Sequence, residues 1–173
     1  MKHNEQSPTM DLYKEEAIAK LKELAEKARN CMFVTKLNEF PTNARPMSLQ
    51  EVDEEGNLWF ISSKQSQKNE DIQQDNRVSL YFQNISTYEF LEVSGIATIH
   101  TDEATIERYW TDFANAWFDG KDDPDVSIIC LKPINSNYWD TKNGKILSFI
   151  KMSFMALTGS KGDDGGVEGK LAI

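Results

Sequence analysis

Apolar residues recur with two different periods in the N-terminal part of the chain. Between Asp11 and Arg29 they fall at Leu12, Ile18, Leu21, Leu24, Ala25 and Ala28, with lysines and glutamates between them, the spacing of one helix face. Asp11, Glu15 and Glu16 lie near its start, where the helix dipole favours acids. The pattern predicts an amphipathic helix over 11–29. From Cys31 to His100 the period shortens. Met32 to Thr35, Met47 to Val52, Leu58 to Ile61, Val78 to Phe82 and Phe90 to Ile99 are rich in β-branched and aromatic residues and predict strands.

Turn-forming residues separate these runs: Asn43 near Pro41 and Pro46, then Asp53 to Asn57 around Gly56, then Asp75-Asn76. Short strands at this spacing predict an antiparallel sheet curling into a barrel, a mainly β fold with flanking helices. Ser66 to Gln74 predicts a short helix with Ser66 as its N-cap and Glu70 in its first turn. A longer helix is predicted over 102–116, and Trp110 and Trp117, seven apart, would share one face of it. Val126 to Leu131 resumes strand character, and 146–157 is apolar enough for a docked helix. The organisation expected is a disordered start over 1–10, one barrel domain over 11–158 and a flexible tail over 159–173.

The junction Trp59-Phe60-Ile61-Ser62-Ser63-Lys64-Gln65-Ser66-Gln67-Lys68 carries the clearest chemistry. A strand that runs directly into a helix start presents unpaired backbone N–H groups and the positive end of the helix, which attract anions. Ser62, Ser63 and Ser66 add hydroxyl donors, and Lys68 adds a flexible point charge suited to a phosphate. A solvated surface loop has the same composition. Arg45 raises the weight of the phosphate reading, because a hairpin through Asp53 to Asn57 returns its strand beside Leu58 to Ser62. Arginine occurs only at Arg29, Arg45, Arg77 and Arg108, and its planar fork suits phosphate. A surface arginine paired with a carboxylate is the competing reading.

Charge narrows the partners. A formal net charge of −9 opposes binding to nucleic acid or to an anionic membrane, so an anionic ligand needs a local basic pocket. The first residues, Met1 to Gln6, contain no apolar leader segment and no stretch reaches the length of a membrane span, which predicts a cytoplasmic protein. Cys31 and Cys130 sit in apolar runs and read as buried hydrophobes. His3 and His100 lack the paired spacing of a metal site, and Asp122 to Asp125 lacks the ligand pattern of a calcium loop; no metal is expected.

The order Arg45-Pro46-Met47, Trp59 to Ser63, Ser66-x-Lys68 and Asn76 to Leu80 resembles the FMN-binding split barrels of the pyridoxamine 5′-phosphate oxidase superfamily. Tyr109-Trp110, Ala116 to Phe118, Gly120 to Pro124 and Tyr138 to Asp140 are similar to its general stress protein branch. The resemblance runs from about Ala25 to Asp140. It implies a six-stranded antiparallel split barrel, FMN as cofactor, and a homodimer whose barrels share the cofactor sites. Arg45 and Lys68 would grip the FMN phosphate with Ser62, Ser63 or Ser66 assisting. Pro46, Met47, Ser48, Phe60 and Ile61 would line the ribityl chain and ring, and Trp139 resembles an aromatic contributed by the partner subunit. Gln67 stands where the oxidases often carry a second basic residue, and this chain has no arginine after Arg108, which departs from pyridoxal-phosphate synthesis. The resemblance therefore implies a flavin-dependent oxidoreductase of unknown substrate, with NADH or NADPH as donor, or a flavin-binding sensor or storage protein. The catalytic residues are unknown at this stage.

Overall fold

The structure, a computed structural model, describes residues 9–141 and 166–173. Its strands are β1 (Leu12–Tyr13), β2 (Asn30–Thr35), β3 (Asn43–Val52), β4 (Leu58–Ser63), β5 (Arg77–Asn84), β6 (Glu89–His100), β7 (Val126–Thr141) and β8 (Gly166–Ala172). Its helices are α1 (Lys14–Ala28), α2 (Gln67–Gln74) and α3 (Glu103–Tyr109), with a 3₁₀ turn over Asp112–Ala116. The sheet runs β1-β8-β7-β4-β3-β2-β5-β6 and closes where β6 also pairs with β7. Six antiparallel strands, β2 to β7, thus form a closed barrel, as the resemblance implied. The remaining two strands extend from the far half of β7. Among the described residues no helix is long and apolar enough to cross a membrane.

Alternation along the strands decides what the barrel encloses. In β4, Leu58, Phe60 and Ser62 point inward while Trp59, Ile61 and Ser63 lie half-buried on the outer face. Phe60 meets Phe33 edge-on at 5.4 Å in the core. The helix α1 covers one end of the barrel with Ala17, Leu21, Leu24 and Ala25, at the predicted helical spacing. Fully burying a leucine contributes about 1.5–3 kcal/mol, so Leu21 and Leu24 account for much of this docking. A second, smaller cluster of Ile106, Tyr109, Val126 and Ile128 lies between α3 and the outer faces of β4 and β7. There the Tyr109 ring stacks on Trp59 at 4.2 Å.

Several expectations change. The helix predicted over 102–116 ends at Tyr109, and Trp110 turns to extended backbone before the 3₁₀ turn. This break lets Trp110 and Phe118 pack on the smaller cluster while Phe113 and Trp117 face elsewhere, so Trp110 and Trp117 do not share a helix face. The tail predicted over 159–173 is in part a strand: β8 pairs with β7 from Asn137↔Lys170 to Thr141↔Gly166. The predicted N-terminal helix begins at Lys14, because Leu12 and Tyr13 pair in parallel with Leu171 and Ala172. Thr9 also bridges Glu168, so the order begins before residue 11. The helix predicted over 146–157 lies outside the described residues.

Candidate functional site

The outer face of the barrel, where β3 and β4 meet the 3₁₀ turn and α2, encloses a cavity of about 590 Å³. Its floor is Pro46 and Met47 from β3 and Ile61 from β4, and Ser62, Ser63 and Lys68 form one end. Phe113, Trp117 and Phe118 also line it, and Asn30, Ser48, Gln50 and Thr111 make a polar strip. Gln50 reaches this strip through a local irregularity. The β3–β4 register shifts between Leu49 and Glu51, so Gln50 and Glu51 both turn outward between buried Leu49 and Val52. Gln50 Oε1 then accepts from Thr111 Oγ1 at 3.3 Å, and Ser48 Oγ donates to Asn30 Oδ1 at 2.7 Å.

Lys68 sits in the first turn of α2, half-buried, with no hydrogen bond or ion pair among the described residues. Burial lowers its pKa below the ordinary lysine value, the charge of Arg45 lowers it further, and Asp125 partly offsets both. Its helix is fixed by a hydroxyl and amide latch. Ser62 Oγ donates to Asn69 Oδ1 at 2.8 Å, Asn69 Nδ2 donates to Ser127 Oγ at 2.9 Å, and Ser127 Oγ donates to the Ser62 carbonyl at 3.1 Å. All three residues are buried, so α2 is bound to β4 and β7 and the Lys68 ammonium is held at the cavity wall. Lys64 and Gln65, in the same junction, are engaged elsewhere. Lys64 Nζ donates to the Pro124 carbonyl at 2.6 Å and Gln65 N to Asp125 Oδ1 at 3.2 Å.

Arg45 is not part of the cavity lining. Alternation turns it away from Pro46 and Ser48, and its guanidinium donates to Thr35 Oγ1 at 2.8 Å and to Asp71 Oδ2 at 3.3 Å. Asp71, fully buried on α2, also accepts from Thr35 Oγ1 at 2.6 Å, Asn43 Nδ2 at 3.0 Å and Gln67 Nε2 at 3.2 Å. Burial alone would raise the Asp71 carboxyl, but these donors and the charge of Lys36 bring it below its ordinary range. Arg45 therefore stands behind the anion end, close enough to act on Lys68 through its charge, with its Nε–H outside these bonds. Sequence reasoning missed Asp71; its only signal was its position three residues after Lys68 on the predicted helix.

Of the other predicted residues, Pro46, Met47, Ser48, Ile61, Ser62, Ser63 and Lys68 come together around the cavity. Phe60 does not: its side chain belongs to the core, and only its backbone follows the wall. Ser66 closes the turn instead, donating to the Ser63 carbonyl at 2.7 Å, and it makes no side-chain cap bond to α2. Trp139 lies near the end of β7, 40% exposed, where Nε1 donates to Glu168 Oε2 at 3.0 Å, and it lines no part of this cavity. Phe113 and Trp117 were not anticipated as site residues. The two cysteines offer no nucleophile here, since burial pushes the thiol of Cys31 up to about 12 and that of Cys130 up to about 11.

A closed six-stranded split barrel with an outer-face cavity lined by a lysine and by aromatic rings defines a structural class. Within that class the chain belongs to the pyridoxamine 5′-phosphate oxidase like family, whose model matches residues 16–163. It is 30% identical over 116 residues to protein bli-3 of Neurospora crassa, covering 60% of this chain and 56% of that protein. It is 31% identical over 83 residues to general stress protein 26 of Bacillus subtilis, covering 44% of this chain and 56% of that protein. The chain thus matches little more than half the length of these relatives. Among solved structures it is similar to the general stress FMN/FAD binding protein of Xanthomonas citri, with a TM-score of 0.61 and 26% identity over 72% of this chain and 87% of that one.

Proposed function

We propose that this chain is an FMN-binding protein of the general stress type, a flavin-dependent oxidoreductase whose cofactor occupies the cavity beside Lys68. The observation that carries the reading is Lys68 itself, a half-buried cation without a bonded partner among the described residues, in the wall of a cavity that Met47, Ile61, Phe113 and Trp117 also line. An unpaired charge in such a place is costly unless a ligand neutralises it. The residues fit FMN. The cavity volume lies in the range of roughly 300–1,000 Å³ typical of small-molecule sites. Lys68 and Ser63 suit a phosphate, Met47 and Ile61 suit a ring face, and the amides of Asn30 and Gln50 suit its polar edge. Arg45, held by Asp71, would add positive potential behind the same end.

Bound flavin supplies two-electron and one-electron chemistry of its own, so the protein's part is to bind, orient and exclude water. The ionisable groups of the cavity wall are Lys68 and Asp125, and neither is needed to carry a proton for that role. A homodimer is part of the proposal, supported by an exposed apolar row on the barrel's outer face. NADH or NADPH is the proposed electron donor. The test is the absorption spectrum of the purified chain before and after FMN addition, followed by anaerobic mixing with NADH and NADPH. A flavin spectrum bleached by either donor is the expected result. A chain that takes up no flavin sinks the proposal, and flavin that neither donor bleaches assigns the protein to storage or sensing.

A further inference from the structure

The 3₁₀ turn exposes more aromatic surface than its fold requires. Phe113 is 68% exposed and Trp117 67% exposed, and their rings meet edge-on with centroids 5.1 Å apart. Exposed apolar area costs about 25 cal/mol per Å² relative to burial, and two large rings side by side form a patch that soluble surfaces ordinarily bury or use. The turn does not need them for its own anchoring. Trp110 and Phe118 pack against the cluster beneath, with their rings 6.2 Å apart, and Ala114 is buried under the turn. The same short segment thus divides its aromatics between a packed pair and an exposed pair, and the exposed pair lines the cavity together with Phe118.

The position of the exposed pair defines a ligand shape. The turn that carries Phe113 and Trp117 starts at Thr111, bonded to Gln50 of β3, whereas Lys68 stands beside Ser62 at the end of β4; Met47, Pro46 and Ile61 line the cavity with them. One end takes an anion, and the other offers aromatic faces above an aliphatic floor, a slot for a flat ring. We infer that Phe113 and Trp117 form the ring-gripping end of the cavity and hold the isoalloxazine of FMN while Lys68 holds its phosphate, an assignment that rests on the flavin reading above. The two ends act independently, because Lys68 is fixed through α2 and the rim through α3 and its turn.

The test compares FMN with riboflavin, which has the same ring and no phosphate, on four proteins: wild type, Phe113→Leu/Trp117→Leu, Trp117→Phe and Lys68→Ala. Affinity and flavin emission are read together with solution mass. The double leucine variant is expected to weaken FMN and riboflavin by the same factor, about three- to tenfold for lost aromatic contact, and to restore emission that the nearby indole quenches. Trp117→Phe should recover most of the affinity without the quenching. Lys68→Ala should weaken FMN about ten- to a hundredfold and leave riboflavin unchanged. A double leucine variant that binds FMN with wild-type affinity and emission overturns the ring assignment and leaves the flavin reading standing. Wild type that binds neither flavin overturns both. A double leucine variant smaller in solution than wild type assigns the pair to a subunit contact and overturns the ring assignment.

Discussion

At the scale of single residues, charge placement governs the cavity. Lys68 has a folded-state pKa below its value of 10.5 in the free side chain, through burial first and the charge of Arg45 second. A lysine depressed in this way destabilises the fold while it is charged, and that cost begins to fall as pH rises through its folded-state pKa and is gone above 10.5. A bound phosphate reverses the balance by favouring the ammonium. FMN affinity is therefore expected to fall on an alkaline limb that begins below 10.5, as Lys68 of the free protein loses its proton. Titration calorimetry with FMN and riboflavin checks this: riboflavin should lack the limb, and so should FMN on Lys68→Ala. Asp71 has the opposite sign. Its folded-state pKa is depressed although burial opposes this, so its contribution is complete above 3.8 and lost as pH falls through the lower folded value. Asp71→Ala strands the donors of Thr35, Asn43 and Gln67 and is expected to cost about 3 kcal/mol, read by urea unfolding at neutral pH. The same variant should show a shallower loss of stability below pH 3.8 than wild type.

At the scale of elements, barrel closure depends on where β6 meets β7. The register shifts between Ser94 and Gly95, Ile134 is left unpaired, and a Cβ on Gly95 would lie 2.1 Å from the Lys132 carbonyl oxygen. Gly95→Ala must push two backbones apart and is expected to destabilise the chain by more than about 3 kcal/mol, which thermal unfolding against wild type would detect. The sequence showed β6 as a strand but gave no sign of this approach. Its legibility was otherwise good where polarity alternated and poor where it did not. Leu58 to Ile61 is apolar on both faces, because its outer face is covered by α3 and its inner face by the core. Which of Trp59 and Phe60 entered the barrel was therefore undecidable from pattern alone. The aromatic run from Tyr109 to Phe118 keeps helical spacing while serving two surfaces, which hid the break after Tyr109. The tail over 159–173 was expected to be flexible, yet within β8 a Cβ on Gly169 would lie 2.0 Å from the Met10 carbonyl oxygen, so that glycine marks close pairing. The strand-to-helix junction at Ser62 to Lys68 was legible because its polarity changes abruptly. The commitment of Arg45 to Asp71 was not, since a buried carboxylate on a short polar helix leaves no periodic trace.

At the scale of the whole molecule, the cavity and an apolar surface share one face. On the outside of the barrel Met32 lies across from Pro46 on one side and Tyr81 on the other, and Phe90 lies across from Trp139. Met32, Tyr81, Phe90 and Trp139 are all exposed. The next row toward the cavity pairs Asn30 with Ser48, and both line it. A two-fold contact on this face would bury the apolar side chains and bring a second chain to the cavity mouth. That arrangement is the proposed homodimer, and it gives Trp139, remote from the cavity of its own chain, a place near the cavity of the partner subunit. Met32→Lys/Tyr81→Glu puts opposite charges into neighbouring positions, so they can pair within one chain but oppose burial against a second. The expected outcome is a species of half the wild-type mass by light scattering, with flavin absorbance lost in the same peak. Trp139→Ala separates the two effects: it should keep the dimer mass while weakening FMN. A wild-type chain that runs as a monomer with full flavin absorbance would show that one barrel completes the site alone, and the exposed row would then need another partner.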